Sequence, residues 1–395
     1  MMRGRALLTG ILLAALTVWV NPFLAPAESQ TPTKYEVWVI DQADASRGGA
    51  RLYIYDGPRL ESGQAGSPEV ITLDAAASGV GDGPGVRPHV VLFNTTFTHA
   101  IIANVASGHV YLMRAADRKI VASIDVGEQA HSAYPSPDGT LILVANQNGK
   151  RLARIRADFS AERFSYNRTE DLDLGALQDA AHPDNAPICP ILFAGGRAYV
   201  TLRGGGLYIV DYASVPMRVV KSYTKDQVGA SGCGGVLVGT KVYVNSGSAT
   251  SSDIYVFDAA SHNLQKHLNL SWSGADGHGM VVTGGGRFVW MANRADRNVV
   301  VINTTVDSLG GYIADVGAAP DLMDISPNGR FVFATLRGPN NLTGGPTAKG
   351  ERPGLAVIQV TDGGRNGRLA TFIPIGDQTP TSPNDTHGVA VRPLR

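Results

Sequence analysis

The chain has 395 residues, with 34 Lys plus Arg against 34 Asp plus Glu, and only 17% of its residues are charged. There is no basic surplus to attract nucleic acid and no acidic block to keep the chain disordered. Gly is abundant at 47 and Trp scarce at 4, a composition that suits many short strands joined by tight turns.

Residues 1–5 carry two arginines, residues 6–20 form an apolar run, and Ala25-Pro26-Ala27 offers small residues at the spacing a signal peptidase needs. This reads as a signal peptide over residues 1–27, with a single mature domain over 28–395. The rival is an uncleaved anchor, but the run is short of the roughly 20 apolar residues a span needs. No later segment is long and apolar enough to cross a bilayer. The mature protein is therefore expected in the periplasm or secreted, where disulfides form.

Three strands are predicted next, over 35–41, 51–56 and 69–74. After them the chain repeats. His131 opens a strand that turns at Ser136-Pro137-Asp138-Gly139 and returns through Leu141 to Asn146. His278 opens a strand that turns at Gly284-Gly285-Gly286 and returns to Asn293. Asp321 opens one that turns at Ser326-Pro327-Asn328-Gly329 and returns to Arg337. A third strand follows in each unit (109–114, 207–211, 254–258, 299–303, 355–360), then a more polar fourth such as 119–124. Four antiparallel strands in about 40–45 residues is the sequence pattern of a β-propeller blade.

Units start at His89, His131, Cys189, Cys233, His278, Asp321 and His387, in steps of 42, 58, 44, 45, 43 and 66 residues. The long steps hold insertions at 175–188, 338–353 and 376–386. Only one strand, 388–393, remains after His387. It and the three N-terminal strands complete one blade, which joins the chain ends and leaves no long free edge. The expected fold is an all-β, seven-bladed β-propeller of four-stranded antiparallel blades.

The units resemble the YVTN-type repeat. The likeness rests on Ser136-Pro137-Asp138-Gly139, Ser326-Pro327-Asn328-Gly329, Val144-Ala145-Asn146 and Met291-Ala292-Asn293, and it covers nearly the whole mature chain. It implies the fold and leaves function open, because such propellers include enzymes, binding proteins and scaffolds.

The first strand of each blade lines the channel, so one aligned position faces the axis. It holds His89, His131, Cys189, Cys233, His278, Asp321 and His387. Four of the nine His and both Cys of the chain fall there. All seven are metal-ligating residue types, and imidazole with thiolate favours copper or zinc over calcium or magnesium. Asp276 and Asp385, each two residues before a ring histidine, are candidates to fix an imidazole tautomer. Two other uses of the ring stand beside this. An imidazole can serve only to hydrogen-bond a neighbouring blade. Cys189 and Cys233, on adjacent blades, can form a disulfide instead of binding metal.

Second strands end at the same mouth, at Asn104, Asn146, Arg203, Asn245, Arg294 and Arg337, and Arg87 lies close to His89. Arginines there suit an anionic substrate. His182 is expected near the mouth. The Gly-, Asn- and Pro-rich loop 338–353 is either a lid or a free surface loop. His99, His109, His262 and His267 fall in outer strands or turns and read as structural or exposed. No nucleophile elbow, phosphate loop, Cys-x-x-Cys or haem-attachment sequence occurs.

The ring resembles, in architecture, the His-rich sites of copper-dependent propeller oxidoreductases. The expected protein is an exported metalloprotein that binds copper, with zinc second, and acts on a small substrate. His89, His131, Cys189, Cys233, His278 and His387 are the metal set. Asp321 is a further ligand or a base, and Arg203, Arg294 and Arg337 position the substrate. The alternative is a non-catalytic propeller that presents its mouth to a protein partner or ligand.

Overall fold

Each repeat folds into one sheet because its turn sequences supply the conformations that tight reversals need. In Ser136-Pro137-Asp138-Gly139, Ser136 Oγ accepts from Leu141 N at 3.0 Å, Asp138 Oδ1 accepts from Thr140 N at 3.1 Å, and Gly139 takes φ +72°. Ser326 and Asn328 repeat the arrangement, with Gly329 at φ +68°. The hydroxyl and carboxyl or amide oxygens satisfy the turn's backbone donors, and glycine avoids the Cβ clash of the left-handed region.

The computed structural model describes residues 34–43, 49–81, 87–272 and 274–394. The expected signal peptide, residues 1–27, lies outside them. The described residues form seven antiparallel sheets. Blades 1 to 6 start with the strands Pro88–Phe93, Ala130–Pro135, Pro187–Phe193, Gly235–Val238, Gly277–Thr283 and Pro320–Ile325, in that order. In blade 7 the order is Thr386–Leu394, Lys34–Asp41, Arg51–Asp56, Glu69–Thr72. Val37 pairs with Val391 and Val39 with Val389, so the two chain ends are clasped in one sheet as expected. Two details differ from expectation. The last strand of blade 7 stops at Thr72 and runs into a short helix, Leu73–Ser78. In blade 2 the outer strand breaks at the turn Arg168–Glu170, capped by Asn167, and resumes as Leu172–Asp173.

The core is divided among the blade interfaces. Seven apolar clusters occur among the described residues, each between two neighbouring blades. Trp38, Ile40 and Leu52 of blade 7 meet Val91, Ala100 and Ile102 of blade 1, and Tyr35 and Val37 of blade 7 meet Phe331 and Phe333 of blade 6. Alternate residues along each strand thus serve the interfaces on its two sides. The clasped blade carries two of the seven clusters, so ring closure is held by side-chain burial as well as backbone hydrogen bonds.

Candidate metal centre

The seven aligned residues do meet at one end of the channel, and backbone irregularities put them there. The pairing of first and second strands shifts register at the ring residue, between Pro88 and Val90, Ala130 and Ser132, Pro187 and Pro190, Gly277 and Met280, and Pro320 and Met323. In blade 7 the shift lies opposite His387, between Val39 and Asp41. A bulge re-aims the side chain it carries. Five residues placed two before ring positions, Arg87, Gln129, Ser231, Asp276 and Ala319, have φ between 48° and 72°. Left-handed non-glycine backbone costs about 1–2 kcal/mol per residue and is concentrated at functional sites. After three ring residues comes a glycine that a larger residue could not replace. A Cβ on Gly234 would lie 2.3 Å from His278 O, on Gly279 2.4 Å from Asp321 O, and on Gly388 2.8 Å from His89 O.

The ring divides into two arcs. Blades 5, 6 and 7 contribute His278, Asp321 and His387, all buried, with one ligand atom from each within 4.8 Å of the others. His278 Nε2 lies 3.4 Å from Asp321 Oδ1 and His387 Nε2 3.6 Å from Asp321 Oδ2. Donors on a tetrahedral ion at 2.0–2.1 Å stand about 3.3–3.4 Å apart. Both nitrogens of His278, Nε2 of His387 and Oδ1 of Asp321 are buried without a hydrogen-bond partner. Buried polar atoms are nearly always paired, and a bound cation at this convergence would take up one such atom from each of the three residues. His387 Nδ1 donates to His89 O at 2.8 Å, which leaves its Nε2 with the lone pair a metal takes.

Blades 2, 3 and 4 contribute His131, Cys189 and Cys233, whose ligand atoms also lie within 4.8 Å of one another. The two cysteines are joined as a disulfide, with Cα atoms 5.1 Å apart. This corrects their expected place among the metal ligands: a disulfide has no thiolate to give. His131 Nδ1 donates to Ile188 O at 2.9 Å. His89 stands between the arcs, its ring 3.7 Å from that of His387 and 4.5 Å from that of His131, and its Nδ1 donates to Gln42 Oε1 at 2.8 Å.

Electrostatics keep the site in a ligating state. Burial pushes His278 and His387 down to about 3 and His131 to about 4, and His89 also falls well below the usual range. All four are neutral at neutral pH. Burial opposes ionisation of Asp321, but the charges around it, of which the Arg294 and Arg337 guanidiniums persist at neutral pH, hold the carboxyl below the usual carboxylate range.

The arginines divide by role. Arg337 is fully buried and is the centre of a clamp: Nη1 donates to Asp321 Oδ2 at 2.7 Å, Nε to Asp385 Oδ1 at 2.7 Å and Nη2 to Asp385 Oδ2 at 2.6 Å. This corrects its expected role as a substrate contact. Arg294 lines the cavity but is bidentate to Asp276, at 3.0 and 2.9 Å. Arg203 is the most open of the three and pairs with Asp184 at 2.6 Å. Asp276 and Asp385 therefore fix arginines, where the sequence suggested imidazoles. Three carboxylates, Asp276, Asp321 and Asp385, touch the two buried guanidiniums Arg294 and Arg337, and Arg87 and Arg203 stand on the same cavity wall.

Above the ring lies a cavity of about 450 Å³ lined by His89, His131, His278, Arg87, Arg203 and Arg294, among others. The loop 338–353 forms part of its wall through Leu342, Thr343, Gly344 and Thr347. It is pinned, not free. Leu342 N donates to Asp385 Oδ2 at 2.7 Å, Thr347 Oγ1 to Asp276 Oδ2 at 2.6 Å, and Arg337 Nη2 to Thr343 O at 3.1 Å. Sequence reasoning missed Gln42, which joins His89 to Thr343 and Asp385. The signal was available: Gln42 follows a second strand just as Arg203, Arg294 and Arg337 do. His182 does not reach the cavity; it bonds Asp179 and Tyr223 O. Asn146 and Asn245 are buried ties to Val126 O and His278 O. His99, His109, His262 and His267 each bond a side chain away from the ring: Glu162, Ser123, Tyr199 and Asp253.

No protein-family model and no curated protein matches the chain. Solved structures match it in fold. A hypothetical selenium-binding protein from Sulfolobus tokodaii has TM-score 0.65 at 11% identity, over 92% of this chain and 94% of that one. A protein from Lactobacillus plantarum has TM-score 0.64 at 10% identity, over 91% and 99%. A 6-phosphogluconolactonase candidate from Bacteroides fragilis has TM-score 0.62 at 12% identity, over 93% and 99%. At these identities the likeness defines the class, a seven-bladed β-propeller, and carries no activity.

Proposed function

We propose that this protein is an exported propeller with YVTN-type repeats that binds a transition metal at its channel mouth through His278, Asp321 and His387. One observation carries the reading: His278, Asp321 and His387, each with a buried polar atom that has no hydrogen-bond partner, bring one ligand atom apiece within 4.8 Å of one another. The Asp321 carboxylate between two neutral imidazoles supports a cation there. Imidazole and carboxylate donors suit copper, with zinc as the rival. Copper would supply one-electron redox chemistry. The chain's own contribution is a cavity within the size range of small-molecule sites, with Arg203 and Arg294 on its wall to orient an anion. The class of reaction we propose is oxidoreduction of a small anionic substrate.

The second reading, a non-catalytic binding propeller, has its own support. His131 and His387 each bond a backbone carbonyl of the next blade, so part of the ring is a structural belt. Titration with Cu(II) followed by electron paramagnetic resonance separates the two. The metal reading expects one nitrogen-coordinated copper per chain, lost in His278→Ala/His387→Ala. A signal from free or surface copper alone would leave the belt.

A further inference from the structure

The second arc has a use that the disulfide hides. Its three residues occupy consecutive blades, as His278, Asp321 and His387 do, and their ligand atoms likewise lie within 4.8 Å of one another. Cys189 and Cys233 are buried at 0% and 4% exposure beside the imidazole of His131. The carbonyl that accepts from His131 Nδ1 belongs to Ile188, the residue immediately before Cys189. That bond directs the His131 Nε2 lone pair away from the backbone, an arrangement typical of metal-ligating histidines. Cys189 N donates to Thr201 Oγ1 at 3.2 Å, and Thr201 Oγ1 donates to Gly232 O, which precedes Cys233. One hydroxyl thus ties both cysteine segments together independently of the sulfur–sulfur bond, so the segments stay placed when that bond opens.

We propose that reduction of Cys189–Cys233 creates a second metal site, His131/Cys189/Cys233, for a soft or borderline cation such as Cu(I) or Zn(II). The step is balanced by a dithiol reductant. Two electrons and two protons pass from the dithiol to the pair, the Cys189–Cys233 bond breaks, and the reductant becomes a disulfide. Metal binding then releases the two thiol protons. The oxidised protein has one three-ligand arc and the reduced protein has two. Their donors differ: imidazole and carboxylate in the first, imidazole and thiolate in the second, so they select different ions. This inference uses residues outside the site of the proposed function and survives or fails separately from it.

The test is a Zn(II) and Co(II) titration of the full chain, with and without prior treatment by a dithiol that is then removed under anaerobic conditions. Free thiols are counted in both samples. The expected result is one additional equivalent of Zn(II) in the reduced sample and a thiolate-to-cobalt charge-transfer band seen only there. Cys233→Ser and His131→Ala should each abolish the extra equivalent. His278→Ala/His387→Ala should keep it, which separates failure of the first site from failure of the second. Two thiols without an added equivalent would overturn the proposal. So would a disulfide that resists the dithiol in the folded protein.

Discussion

Arg337 and Asp385 form a fully buried, bidentate ion pair, and the third nitrogen of the same guanidinium holds Asp321, the only carboxylate in the ring. Asp385 also receives Leu342 N and Gln42 Nε2. One arginine therefore ties the ring, the wall loop 338–353 and the clasp between the chain ends. Removing it strands two carboxylates in the interior. Arg337→Ala is expected to cost about 3–5 kcal/mol, the usual penalty for an uncompensated buried charge. Arg337→Lys should recover only part, since an ammonium cannot span both carboxylates in the same fork. Denaturant unfolding measures both; a loss under about 1 kcal/mol in Arg337→Ala would contradict this account of the clamp.

Acid should weaken the fold through the buried ring imidazoles. The ring imidazoles titrate in the folded state at about 3 to 4, below the unfolded value near 6.5. Between those values the unfolded chain binds more protons, so stability falls as pH falls through that window. The loss is on the order of 1–2 kcal/mol per imidazole between pH 7 and pH 5. Asp324, raised to about 6 by burial, works in the opposite sense and offsets part of it. Denaturation midpoints at the two pH values check the sign. His278→Asn/His387→Asn should flatten the dependence.

The glycine after a ring residue sets how closely adjacent blades approach. Gly279→Ala puts a methyl 2.4 Å from Asp321 O and 2.8 Å from Leu322 Cα, so the backbone must move. The expected cost is about 1–3 kcal/mol, as for other overpacked sites. Because the movement displaces Asp321, metal affinity should fall with stability. A variant as stable as the parent, with unchanged affinity, would show that the contact is slack.

The disulfide closes a loop across 44 residues. By loop entropy its removal in Cys189→Ala/Cys233→Ala should cost about 3–4 kcal/mol. The same variant should bind metal at His278, Asp321 and His387 as the parent does. Thermal unfolding and a copper titration read the two effects separately.

The blades and the ring were legible in the sequence because both are periodic. A turn such as Ser136-Pro137-Asp138-Gly139 recurs, and counting from it locates the residue that faces the axis. The partners of the ring were not legible, because they are set by chain closure. Gln42 meets Thr343 across 301 positions and Asp385 across 343, and no local pattern encodes such pairs. Asp276 and Asp385 sit at the right spacing to serve an imidazole, yet they bond Arg294 and Arg337. The choice between thiolates and a disulfide also needed distance: 5.1 Å between the Cα atoms of Cys189 and Cys233 decides it.

The central claim is a metal held by His278, Asp321 and His387. The most direct measurement is elemental analysis of the protein purified from its own host, beside the His278→Ala/His387→Ala variant. Close to one copper or zinc per chain, absent from the variant, is the predicted result. A parent protein that carries no metal, and takes up none on reconstitution, would contradict it.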